Sequence, residues 1–292
     1  MAVPVVGILS PGDMGHAVGR VLVDNGVKVL TCLEGRSRRT GELAGVAGIE
    51  AAPSYGQLVR DADIILSILV PAEAKNAARL VARALEETGQ KIVYVDCNAI
   101  APATVKEIEE IIVKVGSRFV DGGIIGGPPS PDGSTRLYAS GPDAREFEQL
   151  NRYGLDIRIA GKEIGQASGL KMVYAALTKG TSALTIELLV AAQRMGLYEA
   201  LMGEWEISQK GRQEALGRSL RSVPSKSRRW IGEMEEIAKT FDDVGLTPRI
   251  LNGAADLYRF VGDNPVADET PENIDQSRTL EQLIRMLAEE KV

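Results

Sequence analysis

Over roughly the first 160 residues, short apolar runs alternate with amphipathic stretches. Val3–Leu9, Val27–Leu33, Asp63–Leu69 (DIILSIL), Lys91–Cys97 (KIVYVDC) and Phe119–Ile125 read as strands that are apolar almost throughout. Continuous apolar strands are expected where both faces of a sheet are covered. Gly15–Asn25, Thr40–Val46, Ala72–Glu87 and Pro102–Val115 supply helices between them. Helices of this length imply crossover connections, and so a parallel, doubly wound α/β sheet. Near residue 160 the pattern changes. Ile164–Met195 is rich in Ala and Leu with no strand alternation, and Leu197–Gln209, Gln213–Leu220, Ser227–Val244, Arg249–Val261 and Leu280–Glu290 follow as shorter helices. The expected organisation is an α/β domain over residues 1–161 and an all-α domain over residues 162–292. The Pro-rich stretch Gly126–Arg136 forms an irregular loop inside the first domain.

Composition narrows the class. Hydrophobic residues make up 44% of the 292 and charged residues 25%, the ordinary globular mix, which excludes disordered and fibrous chains. A net charge of −6 argues against sequence-wide attraction to nucleic acid or to an anionic membrane. The two cysteines, Cys32 and Cys97, lie in apolar runs and give neither a disulfide framework nor zinc-ligand spacing, which suits a reducing compartment. The N-terminus lacks the pattern of a secretory signal. No apolar stretch is expected to reach the roughly 20 residues that span a bilayer. These features predict a cytoplasmic protein.

The first strand runs into Ser10-Pro11-Gly12-Asp13-Met14-Gly15, and a helix follows. A tight turn there brings backbone N–H groups and a helix N-terminus onto a pyrophosphate, and glycines let the phosphates approach. Ser10 occupies the first glycine place of G-x-G-x-x-G, so the match is imperfect, but its position after a strand and before a helix is that of a Rossmann domain. The second strand ends in LEGRSRRT. Glu34, about 20 residues past the turn, suits the adenine ribose of NAD. Arg36, Ser37 and Arg38, with Arg39 and Thr40 behind them, suit the 2′-phosphate of NADP. NADP is therefore the expected cofactor and NAD the alternative; a merely solvated charged loop is the bland reading. Leu69 and Val70, ending the DIILSIL strand, join the expected cofactor set.

With these motifs the sequence resembles the β-hydroxyacid dehydrogenase superfamily, which includes 3-hydroxyisobutyrate and 6-phosphogluconate dehydrogenases. The resemblance runs along the whole chain in order. Asp13-Met14-Gly15 looks like the family's Gly-Asn-Met-Gly signature. Val120–Gly127 (VDGGIIGG) is similar to its substrate loop, ordinarily DAPVSGG, and Gly165–Ala175 (GQASGLKMVYA) to its catalytic helix. The second half is similar to an uncharacterised branch whose phosphogluconate-dehydrogenase-like C-terminal domain has no known function. The resemblance implies an oxidoreductase moving a hydride between nicotinamide and a small β-hydroxy acid or its carbonyl partner. It makes Lys171 the general acid/base, Asn98 a polar group near the nicotinamide, and Gly126 and Gly127 substrate contacts. Two departures leave the substrate open. Ile125 stands where a serine usually binds the substrate carboxylate, and Tyr174 and Ala175 stand where an asparagine pair is usual.

From the residues alone, Lys171 lies in an apolar context and either snorkels to solvent or acts as a desolvated proton relay. Tyr174, three residues on, shares its helical face and either orients the lysine, donates a proton or is a core tyrosine. Gly122, Gly123, Gly126 and Gly127 either present N–H groups to an anionic substrate or permit close packing. Lys226–Trp230 is a second basic cluster, suited to a substrate anion or balanced by Glu233, Glu235 and Glu236. His16, the sole histidine, lies beside the expected phosphates, so no His-based triad and no metal constellation is expected. An imine or ketone reductase with an apolar pocket, and a non-catalytic dinucleotide-binding regulator, are the alternative readings. The partners expected are a small anionic or carbonyl substrate and a second copy of the chain, a homodimer held by apolar helices such as Ala175–Ala192.

Overall fold

The computed structural model describes residues 3–130, 135–209, 211, 220–270 and 273–289. It divides into two compact units, Met1–Tyr174 and Ala175–Val292.

The first unit is built on an eight-stranded sheet. Its strands are β1 (Val6–Leu9), β2 (Val29–Cys32), β3 (Glu50–Ala52), β4 (Ile64–Ser67), β5 (Val93–Asp96), β6 (Arg118–Ile125), β7 (Arg136–Ser140) and β8 (Ile157–Gly161). The order is β3-β2-β1-β4-β5-β6-β7-β8. All pairs from β3 to β6 are parallel. β7 pairs antiparallel with β6, and β8 pairs parallel with β7, so the all-parallel expectation needs correcting at this end. A short loop between β6 and β7 cannot make a parallel crossover. Helices α1 (Asp13–Asp24), α2 (Arg38–Val46), α3 (Tyr55–Asp61), α4 (Ala74–Thr88), α5 (Pro102–Lys114) and α6 (Ala144–Glu148) connect the strands.

Period-two alternation along the strands divides the core between two faces. Val6 and Ile8, Ile64 and Leu66, and Val93 and Val95 pack with Val18 and Leu22 of α1 and Phe147 of α6. Leu9, Ile65 and Tyr94 point the other way, onto Leu58 of α3, Val81 and Leu85 of α4, and Ile108 of α5. With helices on both faces, the ends of β1, β4 and β5 are left for polar chemistry.

Helix α7 (Gln166–Arg194) starts in the first unit and continues into the second. The division between the two compact units falls inside it, at Tyr174/Ala175. Bonds from its first turn to β6, described below, keep that turn with the sheet. By length and composition α7 is also apolar enough to cross a membrane, with mean hydropathy 1.2 over its best 18-residue window, 44% of it buried. This corrects the expectation that no segment reaches that length. Within the protein, Lys171 and Lys179 of this helix have polar partners.

The second unit is helical, with the rest of α7, α8 (Tyr198–Ser208), α9 (Pro224–Asp243), α10 (Arg249–Gly262) and α11 (Leu280–Ala288). Met234 and Ile237 of α9 and Ala255, Tyr258 and Val261 of α10 are buried, the apolar stripe of each helix facing inward. Lys179 and Glu233 form a buried ion pair, and the Tyr258 hydroxyl donates to the Lys179 carbonyl at 2.7 Å. The helix expected over Gln213–Leu220 lies almost wholly outside the described residues.

Candidate functional site

The turn after β1 has the geometry of an anion cradle. Ser10 takes a left-handed backbone, φ 61°, and its carbonyl accepts from Gly12 N at 2.7 Å. A Cβ on Gly15 would stand 2.8 Å from that carbonyl oxygen, so only glycine lets α1 start this close to the turn. Gly12 is the N-cap of α1 and provides no side-chain cap, leaving the first N–H groups of the helix open to an anion. Pro11 is buried and Met14 packs on the core, fixing the turn from beneath. The turn lies where the strand order reverses between β1 and β4, the place at which open α/β sheets bind ligands.

The arginines after β2 play three different parts. Arg38 is exposed and pairs with Glu42 at 2.7 Å. Arg39 reaches back to Asp13 at 2.7 Å, tying the loop to the turn. Arg36 is half-buried, with Nη2 3.4 Å from the Tyr55 hydroxyl and its Nε buried without a hydrogen-bond partner. A buried donor left unmatched costs about 1–3 kcal/mol, so it marks a place for an acceptor. Ser37 uses its hydroxyl to cap α2, accepting from Thr40 N at 3.2 Å. Glu34 is exposed at the rim. The uncapped helix, the Gly15 approach and the unmatched Arg36 Nε fit a dinucleotide.

At the ends of β4 and β5 a buried network joins two loops. The Asn98 carboxamide accepts from Leu69 N at 2.5 Å and donates to Ser67 Oγ at 2.9 Å and Asp96 Oδ2 at 3.0 Å. Its acceptor and both its donors are thus engaged. Asn98 is 2% exposed, and its bonds hold the start of the Leu69–Val70 loop. Burial pushes the Asp96 carboxyl up to about 7, against hydrogen bonds from Asn98 that pull it down. Val70 is exposed beside this network, and Leu69 is half-buried.

β6 and the start of α7 hold the expected catalytic group. The Lys171 ammonium donates to the Ile124 carbonyl. That partner is a backbone oxygen, and Tyr174 lies 44% exposed one turn further on. Gly122 and Gly123 are buried within β6, between β5 and β7. A Cβ on Gly122 would meet Asp96 O at 2.8 Å, and one on Gly123 would meet Ala167 O at 2.8 Å. Glycine at both positions permits this close packing. Ile125 is 4% exposed and belongs to the sheet, so it does not line an open apolar pocket. Gly126 and Gly127 are exposed and remain the accessible part of the loop.

Residues that the sequence reading missed carry much of this geometry: Ser67, Asp96, Asp121, Ser140 and Ser168, all buried. The signal was present in an aspartate ending each of two apolar runs, VYVD and RFVD, because a carboxylate there must find donors. The basic cluster of the second unit is spent internally. Arg228 bonds Gly262 O and Asp268, Arg229 pairs with Glu233, and Trp230 meets Tyr258 edge-on at 5.3 Å. A cavity of about 640 Å3 flanks the outer side of α1 near His16, Arg20, Ser130 and Asp156, and none of the expected site residues lines it.

Comparison with known proteins agrees with this geometry. Residues 5–153 match the family model of the NAD binding domain of 6-phosphogluconate dehydrogenase, and residues 192–261 match a domain of unknown function (DUF1932). An uncharacterized 28.5 kDa protein of Methanothermus fervidus is 28% identical over 258 residues, covering 88% of this chain and 98% of that one. A solved structure of a conserved protein of unknown function, described as structurally similar to 3-hydroxyacid dehydrogenases, is 34% identical with TM-score 0.65, covering 88% of this chain and 97% of that one. A 3-hydroxyisobutyrate dehydrogenase of Mycobacterium tuberculosis shares the fold at TM-score 0.67 and 15% identity, covering 90% of this chain and 95% of that one.

Proposed function

The chain belongs to the 6-phosphogluconate dehydrogenase NAD-binding family within the β-hydroxyacid dehydrogenase superfamily, as a member with a C-terminal domain of unknown function, and from that premise we propose an NADP-dependent dehydrogenase or reductase of small β-hydroxy acids with Lys171 as its acid/base. The observation that carries the reading is the Lys171 ammonium, drawn onto β6 by the Ile124 carbonyl beside the exposed Gly126–Gly127 loop. Assigning the α/β domain to residues 1–161 and the helical one to residues 162–292 keeps the lysine on the helix that opens the second.

In this reading the open N–H groups of α1 and the Ser10–Gly15 turn hold the pyrophosphate. Arg36 receives the 2′-phosphate on its unmatched Nε, and Arg38 and Ser37 lie beside it on the rim. Leu69 and Val70, fixed by Asn98, border the nicotinamide. When bound, that ring supplies or accepts the hydride. Lys171 holds the proton at the substrate oxygen. The Ile124 carbonyl holds the ammonium in place, and in this reading the ammonium protonates the substrate carbonyl oxygen during reduction. In the oxidative direction the neutral amine removes the hydroxyl proton. Gly126 and Gly127 offer exposed backbone to the anionic end of the substrate, with Tyr174 at the rim.

The test is hydride transfer across a panel of short β-hydroxy acids with NADP and of their semialdehyde partners with NADPH. Lys171→Ala is expected to lower turnover by about 100-fold or more, in keeping with the loss of a general acid/base, while cofactor affinity stays within twofold. Turnover undiminished in this variant would sink the assignment. The protein is further proposed to be a cytoplasmic homodimer. Leu177 and Leu184 of α7 are 70% and 60% exposed, apolar area that a second copy would cover. Light scattering should give twice the 31.3 kDa chain mass, and a monomer at micromolar concentration would defeat that part.

A further inference from the structure

Asp121, on β6, is fully buried and takes no part in the mechanism above. Its Oδ2 accepts from Gly165 N at 3.0 Å, Ala167 N at 3.0 Å and Ser168 N at 3.1 Å, and from the Ser140 hydroxyl at 2.7 Å. Its Oδ1 accepts from the Ser168 hydroxyl. These N–H groups belong to Gly165, just before α7, and to the first turn of α7, which therefore receives its N-terminal cap from a strand more than 40 residues earlier in the chain. A carboxylate at this end opposes the positive field of the helix.

The same strand touches α7 twice more. A Cβ on Gly123 would stand 2.8 Å from Ala167 O and 3.3 Å from Lys171 Cβ, and the Ile124 carbonyl takes the Lys171 ammonium. Cap, close approach and lysine bond follow one another along β6, so the place of Nζ depends on the register between strand and helix. We propose that Asp121 is the positioning residue for Lys171, fixing α7 on β6 and offsetting the helix field that the ammonium feels. The proposal rests on the catalytic reading of Lys171. The titratable groups around Asp121 are Asp96, its register partner on β5, with Cys97 next to it, Glu109 on α5 and Lys171 on α7. Burial raises the Asp121 carboxyl, and the bonds from Ser168, Ser140 and Gly165 oppose that rise.

The experiment is NMR titration of the full chain with 13C-methylated lysines, the Lys171 signal being assigned by its absence in Lys171→Arg. Asp121→Asn keeps the shape and removes the charge. Its Lys171 midpoint is expected to fall by about half to one pH unit, as the helix field goes unopposed and the hold on the ammonium loosens. The Lys179 signal, two turns further along α7, should stay in place. Ser168→Ala, a milder change that keeps the charge, should move Lys171 by a smaller amount in the same direction and serves if Asp121→Asn does not fold. An unmoved Lys171 midpoint in the folded variant overturns the proposal. A fall shared equally by Lys179 also overturns it, because that reports general loosening. Lys171→Ala run in the hydride-transfer assay separates the two claims. Full turnover there removes the catalytic reading and this proposal with it, whereas a collapse there beside an unmoved midpoint in Asp121→Asn removes the positioning role alone.

Discussion

At the scale of single residues, the cofactor turn stores strain where a glycine is usual. Ser10 sits at φ 61°, a left-handed conformation costing a residue with a Cβ about 1–2 kcal/mol. Ser10→Gly should therefore be more stable than Ser10→Ala by about 1 kcal/mol in urea unfolding, and equal midpoints would show that the turn carries no strain. The sequence identified this turn correctly because its position between a strand and a helix is a local property. It also singled out Lys171, but not that lysine's partner, since the Ile124 carbonyl is brought there only by the packing of α7 on β6. Arg36 could not be told from Arg38 by composition. One lies half-buried with an unmatched Nε, the other exposed against Glu42, and burial separates them. The sequence left both readings of Gly122 and Gly123 open, because glycine beside a ligand and glycine under a helix look alike in one dimension.

At the scale of elements, apolar continuity revealed the central strands, buried on both faces. It missed β3, β7 and β8. β3 has three residues, two of them exposed, and β8 at the sheet edge carries exposed Arg158 and Ile159, so neither makes a long apolar run. The connection through α3 was legible in principle, since Ser54 caps it by accepting from Gln57 N. The link between β4 and β5 has a pH signature. Asp96 is held at about 7 in the fold by burial, above an ordinary value of 3.8. A raised folded value means that the native state binds the proton more tightly than the unfolded chain. The stability it contributes is complete below about pH 4 and is lost as pH rises through 7. The denaturation midpoint of wild type should therefore fall between pH 5 and pH 8 more steeply than that of Asp96→Asn, whose amide does not titrate. Parallel curves for the two proteins would place the ionisation elsewhere.

At the scale of the whole molecule, the chain combines a sheet unit whose polar residues gather at the strand ends with a helical unit whose charged residues pair among themselves. In the second unit Lys179 meets Glu233, Arg229 meets Glu233 and Arg228 meets Asp268. The apparent basic patch at Lys226–Trp230 is therefore largely paired inside its own fold, while the open helix N-terminus and the unmatched Arg36 Nε lie in the first unit. That makes dinucleotide binding the claim on which the rest depends. The most direct measurement is fluorescence titration with NADPH and with NADH, on wild type and on Arg36→Ala. Wild type should bind NADPH at least tenfold more tightly than NADH, as expected when a charge-assisted bond to the 2′-phosphate is worth about 1.5–3 kcal/mol, and Arg36→Ala should lose most of that difference while still binding NADH. Binding of neither dinucleotide would contradict the account at its base.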